Sequence, residues 1–184
     1  MPFLEGKKIA LGVTGSIAAF KAAEIVSLLT KEGADVRVLM TREAENFITP
    51  LTLKTLSRND VARDLWNADA PWKPEHISVA EWADLLLVAP ASAHIIACFA
   101  HGLAPEILSC TYLATHAPVV IAPAMNDAML AHPATQANIE TLRSRGNIIV
   151  EPDEGALACG HSGKGRLAAP AEIVDHVVRI LTGY

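Results

Sequence analysis

The sequence predicts a doubly wound α/β fold, in which helices cover both faces of a parallel sheet, within a single domain. Short apolar runs alternate along the chain with segments of helical periodicity. The length of 184 residues suits one domain better than two. The composition is 51% hydrophobic but only 5% aromatic, which favours small-residue packing of helices on a sheet over a β-sandwich.

The first forty residues predict a strand, a turn, a helix and a second strand. The run Lys8–Val13 is apolar and is broken by residues 14–16. Apolar side chains in residues 18–29 then share one helical face, and Gly33 is suited to end that helix. Asp35–Met40 is the next predicted strand. This order opens a right-handed parallel unit of the Rossmann or flavodoxin-like type.

The rest of the chain continues the alternation, with less regular segments between. The predicted elements are, in order, a loop with short helices (41–57), a polar surface loop (58–75), a helical turn (76–82), a buried strand (84–89) ended by Pro90, two helices (92–101 and 106–115), a strand (118–122) ended by Pro123, a helix (135–145), a last strand (147–150), a glycine-rich loop (151–170) and a closing helix (171–181).

Charge and cysteine content narrow the class of protein. A net charge of −5 gives no basic surface for nucleic acid and no polybasic patch for a membrane. No run approaches the roughly 20 apolar residues that span a bilayer, and the first residues lack a signal-peptide pattern. Three cysteines without a CxxC pair favour a reducing, cytoplasmic location over a disulfide framework. Cys159 and His161 alone do not make a zinc site, so no metal is predicted.

Ligands of such sheets bind beyond the carboxyl ends of the strands, so the strand ends are the candidate sites. After the first strand, Gly15 permits a tight turn and Ser16 offers a hydroxyl at a helix start, which suits a phosphate. A plain turn with a serine cap is an equal alternative. After the second strand, residues 41–43 offer a hydroxyl and a cation, although a helix cap at Thr41 explains them as well.

Two further strand ends carry small and polar residues. At residues 89–94 small side chains let a planar ligand approach the backbone, and Ser92 and His94 add polar groups; an ordinary helix start is the alternative. At residues 123–129 Asn126 provides an amide that can bind a carboxylate. The methionines at 125 and 129 share a helix face, which is more often core packing than a cofactor site.

A mobile loop and a histidine complete the candidates. Residues 157–166 combine Cys159 with basic neighbours and several glycines, which suits a lid over a substrate, or an ordinary exposed loop. His76, just before an apparent helix, is either a general base or an ordinary surface or cap residue.

In combination and order, these motifs resemble the homo-oligomeric flavin-containing cysteine decarboxylases. Residues 15–19 look like the flavin-phosphate turn of that family. Residues 92–95 fall at its PASANT motif, residues 123–130 are similar to PxMNxxMW, and residues 157–160 with the glycines at 163 and 165 and Arg166 resemble its substrate-recognition clamp. The closest likeness, which includes residues 49–53, is to the phosphopantothenoylcysteine decarboxylases, among them the decarboxylase half of a bifunctional coenzyme A enzyme.

The resemblance implies roles for individual residues. His76, Asn126 and Cys159 match catalytic positions: a base, the group that binds the substrate carboxylate, and a proton donor. Positions that match contacts to FMN are Gly15, Ser16, Ile17, Thr41, Arg42, Glu43, Ser92, Ala93, His94, Ile95 and Ala124. Positions that match substrate contacts are Asn126, Ala156, Leu157 and Ala158. His94 replaces the usual Asn or Asp, and Leu130 replaces an aromatic residue.

The implied activity is FMN-dependent decarboxylation of phosphopantothenoylcysteine to phosphopantetheine, through thioaldehyde and ene-thiol intermediates. Residues 1–184 form the flavoprotein domain, either free-standing or excised from a larger enzyme. The implied assembly is a homo-oligomer, a trimer or a dodecamer of trimers. The alternatives are a peptidyl-cysteine decarboxylase of lantibiotic maturation, a flavin prenyltransferase, whose likeness is looser, and a non-catalytic flavin-binding regulatory relative.

Overall fold

The fold is seen in a computed structural model that describes residues 2–66, 72–156, 158, 160 and 162–183. In this part of the chain the main sheet has the parallel strands β1 (Lys8–Val13), β2 (Asp35–Met40), β3 (Val61–Ala62), β4 (Leu85–Ala91), β5 (Val119–Pro123) and β6 (Ile148–Ile149). Their order is β3-β2-β1-β4-β5-β6. The chain therefore winds outwards in both directions from β1 and β4, which confirms the predicted doubly wound fold.

Helices cover both faces of this sheet. They are α1 (Ala22–Lys31), α2 (Pro50–Ser57), α3 (Glu75–Trp82), α4 (Ala93–His101), α5 (Ile107–Ala114), α6 (Asp127–Ala131), α7 (Pro133–Ser144) and α8 (Pro170–Thr182), with 3-10 helices at Ile17–Lys21 and Arg42–Asn46. Helices α1, α2 and α8 pack on one face, and α3, α4, α5 and α7 pack on the other.

The core consists of two apolar layers that share the strands. Ile9 and Leu11 belong to the layer under α1 and α8, whereas Ala10 between them belongs to the opposite layer. On β4, Leu87 belongs to the layer under α1 and α8, and Val88 belongs to the opposite layer. Strand side chains alternate between faces, so a strand buried on both faces reads as an unbroken apolar run. This is why β1, β2 and β4 were predictable.

The glycine-rich segment is a hairpin, so the loop predicted for residues 151–170 is wrong there. Strands β7 (Asp153–Ala156) and β8 (Ser162–Arg166) pair antiparallel as a separate two-stranded sheet. The prediction failed because these strands carry glycine, charged and small side chains in place of an alternating apolar pattern. Backbone pairing, which the sequence does not display, forms this hairpin.

Three details of the sheet also differ from the prediction. The segment 58–75, predicted as a loop, contains the short edge strand β3, which pairs with β2. Strand β4 continues through Pro90 to Ala91, and strand β5 includes Pro123, although each proline was predicted to end its strand. Proline has no N–H for the ladder, and the pairing of β4 with β5 shifts register between Val88 and Ala91 before it resumes.

Within the described residues, no helix is both long enough and apolar enough to cross a membrane.

Candidate functional site

One buried hydroxyl joins the carboxyl ends of β1 and β4. Thr14 follows β1, and its Oγ1 donates to the Pro90 carbonyl at 2.7 Å. The same oxygen accepts the backbone N–H of Ser92 at 2.9 Å. Because β1 and β4 are the central strands from which the chain winds outwards, this hydroxyl fixes the width of the crevice in which α/β proteins bind ligands.

The turn after β1 forms one wall of the crevice. Ser16 Oγ accepts the backbone N–H of Ala18 at 3.3 Å and donates to the Ala124 carbonyl at 3.3 Å. A Cβ on Gly15 would lie 2.5 Å from the Cβ of Glu43, so only glycine lets this turn pack against the segment after β2. The backbone N–H groups at the start of the helical turn suit an anion such as a phosphate.

The end of β4 adds a small-residue wall. Ser92 caps α4, with its Oγ accepting the Ile95 N–H at 3.3 Å. The Ala124 N–H donates to the Ala91 carbonyl at 3.1 Å, which joins the ends of β4 and β5. With Ala93 beside them, these residues keep bulky side chains away from the backbone, so a planar group can approach it closely.

The end of β5 presents an oriented amide. Asn126 caps α6, and its Oδ1 accepts the N–H groups of Ala128 at 3.0 Å and Met129 at 3.4 Å. Both bonds hold the same side-chain oxygen, so the amide group is fixed in direction. Asn126 is half-buried and lines the crevice.

The hairpin closes the crevice from the opposite side. The Met125 N–H donates to the Gly165 carbonyl at 3.0 Å. A Cβ on Gly165 would lie only 2.2 Å from the Met125 carbonyl oxygen, so β8 can approach the end of β5 only through a glycine. Next to β8, the Leu167 carbonyl accepts the Nζ of Lys21 at 3.3 Å.

These walls enclose a cavity of about 670 Å³, a size typical of sites for cofactors and drug-sized ligands. Large apolar side chains surround it and remain about half exposed; Phe20, for example, is 59% exposed. The cations Lys21 and Arg166 also line it. The full lining is Gly15, Ser16, Ile17, Ala18, Phe20, Lys21, Phe47, Ser92, Ala93, Ala124, Met125, Asn126, Met129, Ala156, Ala158, Gly165, Arg166 and Leu167.

Groups with shifted pKa values lie away from this cavity. Burial, together with the negative charge of Glu106, raises the pKa of the thiols of Cys98 and Cys110. Both thiols therefore stay protonated near neutral pH and are poor nucleophiles. Burial and the nearby Asp60 raise the pKa of the Glu75 carboxyl, at the start of α3.

The sequence model of one family, described as "Flavoprotein", matches residues 3–182. The chain belongs to the flavoprotein family. Membership supports a flavin as the cofactor of this chain. Among curated relatives of this flavoprotein, the coenzyme A biosynthesis bifunctional protein CoaBC of Escherichia coli (strain K12) is 49% identical over 175 residues, which is 95% of this chain and 43% of that protein. CoaBC of Bacillus subtilis (strain 168) is 47% identical over 93% of this chain and 42% of that protein. The flavoprotein chain thus spans less than half the length of these curated relatives.

Solved structures of similar proteins match nearly the whole flavoprotein chain. The FMN-dependent cysteine decarboxylase SpaF has a TM-score of 0.85 and 31% identity, with 98% of this chain and 99% of SpaF covered. A mutant PPC decarboxylase complexed with pantothenoylaminoethenethiol has a TM-score of 0.85 and 29% identity, with 97% and 99% covered. The FMN binding protein AtHal3 has a TM-score of 0.82 and 29% identity, with 97% and 98% covered.

The fold brings many of the predicted site residues together around the cavity. Those that line it are Gly15, Ser16, Ile17, Ser92, Ala93, Ala124, Asn126, Ala156 and Ala158. They come from three separate strand ends and from the hairpin, so the topology alone unites positions more than 140 residues apart. Two predicted residues, Leu157 and Cys159, lie outside the described residues.

Other predicted residues do not line the cavity in this part of the chain. Thr41, Arg42 and Glu43 form the neighbouring segment that packs against the Gly15 turn. Ile95 faces the core, where it is 1% exposed.

Two predicted histidines also lie outside the lining. His94 is exposed, and its Nε2 lies 3.6 Å from the Sγ of Cys98, one helical turn along α4. His76 is half-buried in the first turn of α3.

Sequence reasoning missed several lining residues, notably Phe20, Lys21, Phe47 and Leu167. The first two follow Ile17 by three and four positions, so helical periodicity could have placed them on the same face. Leu167 directly follows Arg166 of the clamp motif, whereas Phe47 reaches the cavity from a segment that is distant in sequence. No local pattern in the sequence indicates such an approach.

The residues present fit a flavin nucleotide. The turn at Gly15 offers backbone N–H groups without a Cβ in the way, and the alanines at the ends of β4 and β5 leave room for a planar ring. Thr41 Oγ1, directly after β2, is buried and has no hydrogen-bond partner among the described residues. A buried unpaired hydroxyl is costly, and a polar ligand at this strand end would satisfy it.

Proposed function

We propose that this chain is an FMN-dependent decarboxylase that converts phosphopantothenoylcysteine to phosphopantetheine in coenzyme A biosynthesis. The observation that carries the proposal is the cavity at the β1–β4 crevice. It combines a phosphate-type turn, small residues for a planar ring and the oriented amide of Asn126 in one space. The 49% identity to a CoaBC and the structural match to a PPC decarboxylase support it.

FMN, when bound, would supply a two-electron acceptor and donor for the thiol-bearing carbon of the substrate. The turn of Gly15, Ser16 and Ile17 would hold its phosphate. Residues 41–43 would contact its sugar chain, with the Thr41 hydroxyl donating or accepting a hydrogen bond. Ser92, with the small residues at 93 and 124, would contact the ring. The backbone at 94 and 95, whose side chains do not line the cavity, would lie next to it.

The remaining residues would act on the substrate. Asn126 would bind the substrate carboxylate with its side-chain amide, whose direction the two helix-capping bonds fix. Residues 156–158 of the clamp would cover the substrate. Cys159 would return a proton to the ene-thiol that remains after the loss of CO2, and His76 would act as a base toward the thiol or carboxylate.

We further propose that the active form is a homo-oligomer, with a trimer as its unit. The apolar side chains at the cavity mouth support this, because Ile17 and Phe20 are 57% and 59% exposed. His76 does not line the cavity of its own chain, and a neighbouring copy could bring it to the site. We propose a cytoplasmic location, no nucleic-acid or membrane partner, and one domain over residues 1–184.

The test is mass spectrometry of the FMN-loaded protein incubated with phosphopantothenoylcysteine. We expect phosphopantetheine as the product. A matched pair of variants connects the product to the cavity. Asn126→Asp keeps an oxygen that can cap α6 but replaces the amide N–H group with a negative charge, so it should abolish product formation. Asn138→Asp makes the same change on α7, where the side chain bonds His101, and should leave product formation unchanged.

A second candidate is decarboxylation of a peptide with a C-terminal cysteine. The FMN-dependent cysteine decarboxylase SpaF matches the chain with the same TM-score of 0.85 as the PPC decarboxylase, so the fold does not separate the two kinds of substrate. Incubation with such a peptide in parallel separates the two activities. A yellow, FMN-loaded protein that converts neither substrate would contradict both and would favour a non-catalytic, flavin-binding role.

A further inference from the structure

Strands β7 and β8 have no apolar core of their own among the described residues. They carry charged, glycine and small side chains, and Ala156 is their sole apolar side chain. The buried Val150 and Leu167 anchor the two ends of this segment in the main fold, whereas hydrophobic burial by the strands themselves contributes little. The hairpin supplies several residues of the cavity lining, so the polar contacts of its strands bear on where these residues stand.

One face of β8 lies against the end of β5. Gly163 and Gly165, two positions apart, both face this end: a Cβ on Gly163 would meet the Asp127 carboxylate at 2.8 Å, and a Cβ on Gly165 would meet Met125. Because side chains alternate along a strand, Lys164 between them points the other way. Its Nζ donates to Glu151 Oε2 at 3.0 Å.

Glu151 binds cations on two different elements at once. While Oε2 accepts Lys164 of the hairpin, Oε1 accepts the Nη2 of Arg143 on α7. Arg143 is in turn held by Glu140, one turn earlier on α7, at 2.6 Å. Val150, the residue before Glu151, is buried, and its N–H donates to the Ile121 carbonyl at 2.9 Å. Glu151 and Arg143 are thus attached to the main fold, whereas Lys164 belongs to the hairpin.

We infer that Glu151 is a positioning residue that holds the clamp hairpin against the cavity by joining Arg143 of α7 to Lys164 of β8. Isolated exposed ion pairs contribute little, but here one carboxylate serves two cations at the base of a hairpin whose described strand residues bury little apolar surface. None of the three residues of the network lines the cavity. Loss of the network should therefore leave the reacting groups intact and lower the fraction of molecules in which the hairpin is docked. The effect on catalysis rests on the proposed function, whereas the effect on docking does not.

The first experiment measures docking without any substrate. The Met125 N–H bonds Gly165 across the junction, so its rate of amide hydrogen exchange reports undocking of β8. We expect Glu151→Gln to raise this rate by about three- to ten-fold, as expected for the loss of exposed charge pairs. Glu140→Gln, which removes a partner of the same arginine without a link to the hairpin, should leave it unchanged. Equal rates in both variants would overturn the inference.

Two further measurements separate positioning from general destabilisation. Lys164→Gln should match Glu151→Gln, and Lys164→Arg, which keeps the cation, should restore the wild-type rate. About 1 M salt should raise the exchange rate of the wild type and leave that of Glu151→Gln unchanged, because exposed charges are screened. A response of Glu151→Gln equal to that of the wild type would contradict the network.

The kinetic measurement is made on the FMN-loaded enzyme with phosphopantothenoylcysteine. We expect Glu151→Gln to raise KM by about three- to ten-fold with little change in kcat. The substrate binds molecules whose hairpin is docked, so a smaller docked fraction lowers the apparent affinity. An equal KM in Glu140→Gln and Glu151→Gln would overturn the link to substrate binding. If the wild type proves inactive, the proposed function fails, but the exchange measurements still decide whether Glu151 holds the hairpin.

Discussion

The close contact between β8 and the end of β5 makes Gly165→Ala a direct test of the cavity. The added Cβ would lie 2.2 Å from the Met125 carbonyl oxygen, whereas Cβ contacts below 3.0 Å are essentially never seen. The obstacle is backbone, so no side-chain rotation removes it. The hairpin must therefore retreat from the cavity by roughly 0.8 Å, the difference between these two distances.

The expected cost is local. The retreat weakens the bond from the Met125 N–H to the Gly165 carbonyl, which contributes about 1 kcal/mol, and φ of +154° adds strain of about 1 kcal/mol for alanine. Displacement of positioning groups by about 1 Å can lower a rate by about 100-fold. We expect kcat/KM for decarboxylation to fall by at least about ten-fold, with FMN still bound and the main sheet intact by circular dichroism.

Gly146→Ala provides the matched control. Gly146 also has a positive φ, of +87°, but a Cβ there would meet nothing within 4 Å. It follows α7, away from the cavity, so its substitution adds backbone strain without a clash. If Gly165→Ala is as active as Gly146→Ala, the close approach of β8 has no part in catalysis, and the reasoning fails.

Three further predictions concern other parts of the molecule. Thr14→Val should lower the free energy of unfolding in urea by about 2 to 3 kcal/mol, because it leaves a buried carbonyl and a partly buried N–H unpaired; Thr55→Val, on an exposed helix face, should change it little. His76→Asn should abolish product formation while the absorbance of bound flavin is retained; normal turnover would remove His76 from the mechanism. Because burial raises the pKa of the Cys98 thiol, iodoacetamide should modify Cys98 far more slowly than free cysteine at about pH 8, as measured by peptide mass mapping. Equal rates would show that this thiol is exposed and ionised.

The sequence predicted the strands at the centre of the sheet best. Lys8–Val13 and Asp35–Met40 have the bounds that their apolar runs indicated, and Gly33, with φ of +91°, follows α1 as predicted. These signals are local: burial on both faces requires an apolar run, and a left-handed turn favours glycine. The edge strand β3 and the hairpin were missed because backbone pairing with distant segments defines them.

In the candidate site too, residues with a local signal in the sequence were predicted, and residues brought in from distant segments were not. Residues that lie directly at a strand end, such as Ser16, Ala93 and Asn126, line the cavity as the topology requires. Phe47 was missed because it reaches the cavity across the fold. His76 shows the opposite case: the motif marks it as a candidate, but the structure places it in the first turn of α3, outside the cavity lining.

Among the described residues, strands β7 and β8 contact the rest of the molecule through two glycines, the backbone bond between Met125 and Gly165, and one ion network. Most of their side chains are exposed, whereas Leu167, directly after β8, is buried in the core. Substitutions at the exposed strand positions other than Lys164 should therefore leave the stability of the main sheet unchanged. On the proposed function, they would change which substrate the cavity accepts, because Ala156 and Arg166 line it.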